Sequence, residues 1–442
     1  MKKLRTIKNN ELYYNGYSLV SLAEKYHTPL KITFLDVIKE HILSLKETFN
    51  NSIKELNYQG KFIYLNANKA NYGSEEILQA FKVGDGLETS SYYDLLYTYE
   101  IFKKYPKYQD KYIVCNGYKL DDYLDTIKEL YLKGYHIIDI IDSLDEYNRI
   151  KEYHLPIEIG LRIHLFSKYL EPGDEILNDR FGLNKEEFEY IMNDLKNTSL
   201  NLTTIHFHQR GFDFEKEPFE ENFLDCFNNY YVSAAKKYNT IINFDIGGGT
   251  PLPIEEGFDY DDWSKYVLKL IQKTCKENHL NEPNIISENG KFSQKDSTVN
   301  IYKIVGIKNT DEIPWCFVDG SMLIALPEMY ALGEPILVEP INELDKPTKK
   351  VRIGGMTCDC DDVYPKHGDF FIPDTKEDVY IGLIGTGSYQ NSMNGKGGVH
   401  HCLLPEETDI IIYTDESNIV HEEVRNKLQT IDDIMKLTKL IK

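Results

Sequence analysis

The stretch between residues 36 and 300 alternates strand patterns with helix patterns, and this alternation constrains the fold more than any other feature. Eight short apolar runs have the character of strands: KFIYLNAN, GLETSS, KYIVCNG, HIIDII, IEIGLRI, LTTIHFH, IINFDIGGG and NIISEN. Amphipathic segments such as SYYDLLYTYEIFKKY separate them and carry apolar residues at helical spacing. Strands that alternate with helices favour parallel βα units, and eight units predict a (β/α)8 barrel. A doubly wound open sheet is the alternative, because strand count alone does not separate the two folds.

The sequence changes character after residue 300. Short strand patterns follow one another without regular helices between them: VNIYKIVGIK, WCFVDGS, ILVEPI, KKVRIGGMTC, EDVYIGLIG and DIIIYTD. This pattern predicts an all-β domain over residues 301–442, which residues 1–35 are expected to join, beside the barrel of residues 36–300. The last stretch, HEEVRNKLQTIDDIMKLTKLI, is predicted to be helical.

Charge and hydropathy exclude two broad classes of function. The formal net charge is −21, whereas a general nucleic-acid binder needs a basic face. No stretch approaches the roughly 18 consecutive apolar residues of a membrane helix, and the first residues lack the apolar core of a signal peptide. We therefore expect a cytoplasmic protein that binds neither nucleic acid nor membrane.

The cysteines do not indicate a disulfide framework or a metal centre. There are seven of them, at scattered positions and without a C-x-x-C motif. Only TCDCDD (residues 357–362) places cysteines beside acids, and a C-x-C pair without a neighbouring His is a weak metal signal. No metal site is predicted.

Polar side chains follow the predicted barrel strands at the point where each strand ends. They are Lys69 and Asn71, Glu88, Asn116, Asp139, Arg162, His206 and His208, and Glu288. Because the active sites of (β/α)8 barrels lie at the carboxyl ends of the strands, we expect these side chains at one mouth of the barrel. Lys69 is unusual among them, since a buried strand rarely ends in a lysine for solubility alone.

The seventh strand leads into IGGGT, which contains Gly247, Gly248 and Gly249. Glycines let the backbone approach a ligand closely, and their N–H groups can form a nest for an anion such as phosphate. A tight turn without a ligand is the alternative. The motif is neither G-x-G-x-x-G nor a Walker loop, so a nucleotide is not favoured. A lysine for a Schiff base, a phosphate nest and a carboxylate for a ring nitrogen are together what pyridoxal 5′-phosphate requires.

An ordered series of motifs resembles a known family. NANKAN, VCNGYK, RFGL, IHFHQ, DIGGGTP, SENGK and CDCDD occur in that order, followed by IGTGSYQNSMNGKGGVHHCLLPE at residues 384–406. The series is similar to that of the pyridoxal-phosphate-dependent decarboxylases of the alanine-racemase barrel type (fold type III). Within them it most resembles arginine decarboxylases, more than ornithine or diaminopimelate decarboxylases.

The resemblance implies roles around the cofactor. Lys69 is the expected Schiff-base lysine, His208 is expected to stack on the pyridine face, and Glu288 to pair with the pyridinium nitrogen. Gly247, Gly248 and Gly249 are expected to hold the phosphate with help from Tyr389, while Arg162 and Glu88 lie near the ring.

The resemblance also implies a homodimer with shared active sites. Cys358 is the expected proton donor and reaches the barrel mouth of the partner subunit. Asp359 and Glu328 are expected to face the side chain of the substrate.

Three segments depart from the family pattern. Lys291 follows Glu288-Asn289-Gly290 where the family often has an arginine, and a lysine cannot reproduce the arginine fork. Gln209-Arg210 replaces the usual Gly-Ser after His208. Glu328 and Tyr330 stand where arginine decarboxylases of this type tend to carry Asp and Trp.

The implied reaction is decarboxylation of a cationic amino acid, with L-arginine giving agmatine and CO2 for polyamine biosynthesis. Diaminopimelate, ornithine, lysine and carboxynorspermidine are alternative substrates. A racemase on the same barrel needs a second catalytic base, usually a tyrosine, and CDCDD fits decarboxylation better. A catalytically dead regulatory homologue is a further alternative, against which intact Lys69 and Cys358 argue.

Overall fold

The computed structural model of the chain describes residues 3–165, 180–208, 216–252, 258–310, 312–334, 336–365 and 368–442. The strands are β1 Arg5–Lys8, β2 Glu11–Tyr14, β3 Tyr17–Ser18, β4 Leu30–Phe34, β5 Phe62–Ala67, β6 Gly86–Thr89, β7 Tyr112–Cys115, β8 His136–Ile141, β9 Glu158–Arg162, β10 Asn201–His206, β11 Asn243–Asp245, β12 Asn284–Asn289, β13 Thr298–Lys308, β14 Trp315–Val318, β15 Leu337–Pro340, β16 Thr348–Gly354, β17 Val363–Tyr364, β18 Phe370–Pro373, β19 Tyr380–Ile384, β20 Thr408–Thr414 and β21 Val420–Asn426.

The α-helices are α1 Leu19–Tyr26, α2 Leu35–Leu56, α3 Ser74–Val83, α4 Tyr92–Lys104, α5 Asp121–Leu132, α6 Leu144–Ile150, α7 Lys185–Asp194, α8 Lys216–Cys226, α9 Val232–Lys237, α10 Tyr260–Asn278, α11 Lys291–Gln294, α12 Met322–Ala325, α13 Pro327–Leu332, α14 Asn391–Asn394 and α15 Ile431–Leu437. Within the ranges that the structure describes, none of the helices combines the length and the apolar character that crossing a bilayer requires.

The chain divides into two compact units. One unit comprises residues 41–69 and 77–292, and the other comprises residues 1–40, 70–76 and 293–442. The first is called the barrel unit below, and the second is called the β unit.

The barrel unit contains a closed barrel. In the described part of the chain, the eight strands β5 to β12 pair in sequence order, each parallel to its neighbour. Pairing of β12 with β5 closes the ring, with Ile285 opposite Phe62 and Asn289 opposite Asn66. The predicted (β/α)8 barrel is therefore confirmed, and the open sheet is excluded. Closure brings the carboxyl ends of all eight strands to one end of the barrel.

Apolar strand residues form the core of the barrel unit. A buried cluster contains Ile63, Leu65, Val114, Ile138, Ile140 and Ile286. Strands covered on both faces read as continuous apolar runs, as HIIDII and FIYLNA do. Burying each such side chain stabilises the fold by roughly 1.5–3 kcal/mol. The polar residues at the strand ends are thus held on a rigid base.

The β unit is built around a ten-stranded sheet. Among its described residues, the main path runs β17-β16-β14-β13-β4-β20-β21, while β19 pairs with β13 and β15, and β18 pairs with β16. The N-terminal strand β4 is part of this sheet, antiparallel to β13 and parallel to β20. A small sheet of β1, β2 and β3 belongs to the same unit. The prediction of a mixed fold, a barrel followed by an all-β region, is confirmed.

Two local predictions in this region are wrong. Short helices α12, α13 and α14 interrupt the strands that were predicted to follow one another without helices. The C-terminal stretch is not one helix, because β21 pairs antiparallel with β20 before α15 begins. Arg425 in β21 bonds Asp409 through Nε and Nη2 at 3.0 Å each, and Glu76 through Nη1 at 2.7 Å. The sequence of this segment favours a helix by itself, but its pairing with β20 and the contacts of Arg425 with Asp409 and Glu76 make it a strand.

Candidate active site

Lys69 lies in a short 3₁₀ turn, Asn68–Ala70, directly after β5. Its Nζ is 3.3 Å and 3.4 Å from the two carboxylate oxygens of Glu88 at the end of β6. The Lys69 side chain is 38% exposed, whereas the Glu88 side chain is fully buried. The Lys69 side chain is therefore partly open to solvent, while its amine contacts a buried carboxylate.

Asn116, which follows β7, joins two buried carboxylates. Its Nδ2 donates to Glu88 Oε1 at 3.0 Å and to Glu288 Oε1 at 2.8 Å. Ser90 Oγ also donates to Glu88 Oε1, at 2.8 Å. Burial raises the pKa of Glu288 to about 7, with a further upward contribution from the charge of Glu88 and an opposing one from Lys69. The position of Asn116 at the end of a strand predicted a place at the barrel mouth but no role. In the structure its amide holds the carboxyl groups of Glu88 and Glu288 in place by hydrogen bonds.

Asp245, at the end of β11, is a site residue whose role was not predicted. It is buried, and its Oδ1 accepts a hydrogen bond from the Gly247 N–H at 2.8 Å. Burial, and next the charge of Glu288, raise the pKa of Asp245 well above its usual value. His206 Nε2 lies 3.8 Å from Glu288 Oε2, and burial lowers the pKa of this histidine. Burial and the charge of Glu288 thus favour the protonated form of Asp245, the acid of the DIGGGT motif.

The IGGGT turn has no room for side chains. Gly247 and Gly249 have φ values of +64° and +91°, in the region that favours glycine. A Cβ atom on Gly247 would lie 2.6 Å from His208 Nδ1, and one on Gly248 would lie 2.6 Å from the backbone oxygen of Glu288. The backbone itself thus forms the wall of the site at Gly247 and Gly248, whose N–H groups donate to Asp245 Oδ1 and His208 Nδ1.

His208 receives a hydrogen bond from this turn, because the Gly248 N–H donates to its Nδ1 at 3.3 Å. His208 is exposed by its surface area, although the protein around its ring desolvates it. This desolvation lowers the pKa of His208 to about 3, and the charges of Lys69 and Arg162 act in the same direction. A neutral imidazole with a fixed tautomer suits stacking on an aromatic ring.

Arg162 ends β9 and is held from two sides. Its Nη1 is 3.4 Å from Asp142 Oδ1, and its guanidinium lies 4.5 Å from the centre of the Phe181 ring. Asp142 Oδ1 also accepts the Gly182 N–H at 2.8 Å. These contacts hold the Arg162 guanidinium at the end of β9, where the sequence predicted it.

Asp139, the strand-end acid of β8, takes part in a buried ion cluster. Lys119 Nζ lies 3.1 Å from Asp139 Oδ1 and 2.8 Å from Glu146 Oε1, and the side chains of all three residues are buried. The ammonium group also donates to the Ile140 carbonyl at 2.7 Å. Asp139 therefore stabilises the base of the barrel mouth through Lys119.

The remaining predicted site residues lie in the β unit. Tyr389 has a left-handed backbone with φ of +54°, and its N–H donates to the Ala70 carbonyl at 2.8 Å. Glu328 in α13 is buried, and its Oε2 accepts a hydrogen bond from Gln390 Nε2 at 3.3 Å. Tyr330 OH donates to the Val363 carbonyl at 2.7 Å. These contacts anchor the segments that the resemblance assigned to phosphate and substrate binding.

Cys358 is exposed in the loop after β16, and its Sγ lies 3.6 Å from Cys402 Sγ. Asp359 Oδ2 lies 3.4 Å from His401 Nε2. Of the departures from the family pattern, Lys291 begins α11, whereas Gln209-Arg210 lies outside the described residues.

The barrel residues fit pyridoxal phosphate. An accessible lysine amine lies next to a buried carboxylate, and a buried acid of raised pKa lies beside Asn116 and Asp245. The glycine turn leaves only backbone where a phosphate group would pack. Amine, acid and nest converge within one unit, which is the donor set that this cofactor needs.

Comparison with curated proteins gives relatives of low identity. The biosynthetic arginine decarboxylase of Prochlorococcus marinus strain MED4 is 25% identical over 343 residues, which is 73% of this chain and 51% of the relative. The chain thus spans about half the length of the curated relatives it matches.

Comparison with solved structures gives the same fold. The biosynthetic arginine decarboxylase of Campylobacter jejuni matches with a TM-score of 0.83 at 20% identity, covering 99% of this chain and 89% of the other. Diaminopimelate decarboxylase of M. jannaschii, in complex with L-lysine, matches with a TM-score of 0.80 at 20% identity, covering 98% and 96%.

A family model settles the membership. The pyridoxal binding domain of the pyridoxal-dependent decarboxylases matches residues 42–294, more than half of the 442 residues. The match contains Lys69, Glu88, the glycine turn and Glu288, which the structure gathers at the barrel mouth. The chain belongs to the family of pyridoxal-dependent decarboxylases, and its cofactor is pyridoxal phosphate.

Proposed function

We propose that this chain decarboxylates a cationic amino acid, and that L-arginine is the substrate, giving agmatine and CO2 for polyamine biosynthesis. The observation that carries the proposal is the exposed Lys69 amine above buried Glu88, at the mouth of a barrel of the decarboxylase family. The matched relatives are named arginine decarboxylases, which supports the choice of substrate.

The cofactor, when bound, supplies an electron sink for the charge left on the α-carbon when CO2 departs. Lys69 would hold the cofactor through its amine, and the amine of the substrate would take its place. Glu288 would keep a proton at the ring nitrogen, because an adjacent negative charge raises the pKa of that nitrogen. Asn116 holds that carboxyl group in place.

Cys358 is the group that we assign to proton donation at the α-carbon. The neighbouring Cys402 thiol raises the pKa of Cys358, so that Cys358 holds its proton at neutral pH. A protonated thiol is the form that a general acid needs. In a homodimer, Cys358 of one subunit would complete the site of the other, as a two-fold interface allows.

The acids Glu328 and Asp359 are proposed to receive the cationic end of the substrate. A guanidinium is planar and always charged, with donors in a fork that a carboxylate can meet with two hydrogen bonds. A buried acid opposite a neutral side chain would cost several kcal/mol, so a cation is expected there. Glu328 is one methylene longer than the expected aspartate, which favours a shorter cation such as ornithine as the second candidate.

The attachment site is tested by mass. Reduction of the holoenzyme with borohydride should add the mass of the pyridoxyl group to the peptide that contains Lys69. Lys119, the buried lysine of the ion cluster, serves as the internal control and should carry no label. Label on another lysine, with Lys69 unmodified, contradicts the assignment.

The substrate is tested by comparing kcat/KM for arginine, ornithine, lysine and diaminopimelate. Arginine should exceed the others by at least roughly tenfold, about 1.4 kcal/mol of transition-state stabilisation. A smaller preference removes arginine but leaves the decarboxylase proposal. Failure to release CO2 from any cationic amino acid, by a protein that has bound the cofactor, points instead to the catalytically dead regulator.

Shared active sites are tested by mixing two inactive variants, Lys69→Ala and Cys358→Ala. Random exchange of subunits should leave about one quarter of the sites with both residues intact. Exchange is verified with an affinity tag on one variant. If exchange occurs and no activity returns, each subunit works alone.

A further inference from the structure

The exposed cysteines of the chain are Cys358, Cys360 and Cys402, whereas the other four are buried. Two of the exposed ones face each other, since Cys358 Sγ and Cys402 Sγ lie 3.6 Å apart. Sulfurs at this separation are in van der Waals contact, and a disulfide requires about 2.0 Å. Forming the bond requires the two side chains to move closer together. Cys360 is exposed on the same loop, which makes it a natural comparison.

The two segments that carry these cysteines meet at a second point. Asp359 Oδ2 lies 3.4 Å from His401 Nε2, so the residues next to the two cysteines also face each other, with the two segments running in opposite directions. Buried Asp362 anchors the segment that carries Cys358. Its Oδ2 accepts hydrogen bonds from the Thr357 N–H at 3.1 Å and from Thr357 Oγ1 at 2.7 Å. Ser321 Oγ donates to Asp362 Oδ1 at 3.0 Å. The thiol pair therefore belongs to an anchored loop.

We propose that Cys358 and Cys402 form a reversible disulfide within one chain, and that this disulfide switches off decarboxylation by consuming the proton donor. The switch rests on the proposed role of Cys358 in catalysis. Formation of the disulfide does not rest on that role, because it follows from the contact of the two thiols within one chain, 3.6 Å apart.

The oxidation is balanced with hydrogen peroxide as the oxidant. The thiolate of one cysteine attacks a peroxide oxygen, the O–O bond breaks, and a sulfenic acid and one water form. The second thiolate then attacks that sulfur, the S–O bond breaks, and the leaving hydroxide takes a proton to become the second water. The two sulfurs lose two electrons and the peroxide gains them. A dithiol such as dithiothreitol reverses the change by thiol–disulfide exchange.

The test uses the full-length holoenzyme treated with hydrogen peroxide, blocked with iodoacetamide and digested without reduction. Mass spectrometry should find a peptide pair joined through Cys358 and Cys402, lighter by two hydrogen atoms than the free peptides. Decarboxylation should fall by about a hundredfold, the size of a general acid's contribution, and dithiothreitol should restore it. Cys360→Ser should behave as the wild type does.

Cys402→Ser is the decisive variant, since it removes the second thiol and leaves Cys358 in place. Measured against its own untreated activity, it should lose the rapid, dithiothreitol-reversible inactivation. Cys402→Ala repeats the measurement if the serine variant folds poorly, and the mass map of the wild type needs no variant at all.

The outcomes separate the two proposals. Absence of the 358–402 link, or a link through Cys360 in its place, overturns the inference and leaves the proposed function untouched. A link that forms without loss of activity shows that the disulfide is not a switch. If untreated enzyme decarboxylates no cationic amino acid, the proposed function fails, while the link is still read by mass.

Discussion

Asp94 offers a measurable test of the electrostatics beside the active site. It is 3% exposed at the third position of α4, where it accepts from Ser90 N at 2.9 Å and from Asn68 Nδ2 at 3.1 Å. Burial, and next the charge of Glu88, raise the pKa of Asp94 from 3.8 to about 7. Asn68 adjoins Lys69, so this carboxyl group supports the turn that presents the amine.

The raised pKa makes stability fall as the pH rises. Below about pH 4 the carboxyl group is protonated in both the folded and the unfolded chain. Between that value and about pH 7 only the unfolded chain releases the proton, so the folded state loses stability relative to it. At 1.36 kcal/mol per pH unit, the loss between pH 5 and pH 7 is about 3 kcal/mol, and it is complete above pH 7.

Asp94→Asn removes this titration and keeps a side chain of the same shape. Because replacing one acceptor oxygen by an amide NH2 group has a cost that does not vary with pH, the expected result is a change: the stability of the variant relative to the wild type should rise by about 3 kcal/mol between pH 5 and pH 8.5. Urea unfolding at both pH values, without added pyridoxal phosphate, measures the difference. Other titrating groups are common to the two proteins and cancel.

Asp262→Asn is the matched control. Asp262 occupies the same third helical position in α10, after the N-cap Asp259, but it is exposed. Its substitution removes the same helix-end charge without the burial, so its effect should not vary by more than about 0.5 kcal/mol between the two pH values. If the stability difference between Asp94→Asn and the wild type also changed by no more than about 0.5 kcal/mol between the two pH values, the raised pKa of Asp94 would be refuted.

Three further perturbations test the barrel mouth. Lys119→Met leaves two buried carboxyl groups without their cation and should cost about 3–5 kcal/mol in urea unfolding; a cost below about 1 kcal/mol contradicts a charged cluster. Asp245→Asn mimics a carboxyl group that is already neutral and should change stability by less than about 1 kcal/mol. A loss as large as that of Asp245→Ala argues for an ionised group. Gly248→Ala places a Cβ 2.6 Å from a backbone oxygen and should weaken pyridoxal phosphate binding roughly tenfold or more, about 1.4 kcal/mol by absorbance titration. Gly306→Ala, where nothing lies within 4 Å, should leave that affinity unchanged.

The barrel was predictable from the chain because its signals are local. Strand and helix periodicity and the order of the units can be read from neighbouring residues, and a strand-end lysine such as Lys69 follows from that order. Closure could not be read locally, because Ile285 pairs with Phe62 across more than half of the chain. Similarly, VHEEVRN is a strand because β20 offers a partner and Arg425 bonds Asp409 and Glu76.

The sequence by itself determined the fold class, the cofactor and the residue types at the mouth, since each rests on local periodicity or on a short motif. Only the tertiary structure decided how these groups affect one another. Folding places Asp245 beside Glu288 and links Glu88 to Glu288 through the Asn116 amide. It also pairs Asp139 with the buried Lys119 ammonium group. It also brought together Cys358 and Cys402, 44 residues apart. Charge, proton and redox states depend on distance and burial, and folding sets both through contacts between residues far apart in the chain.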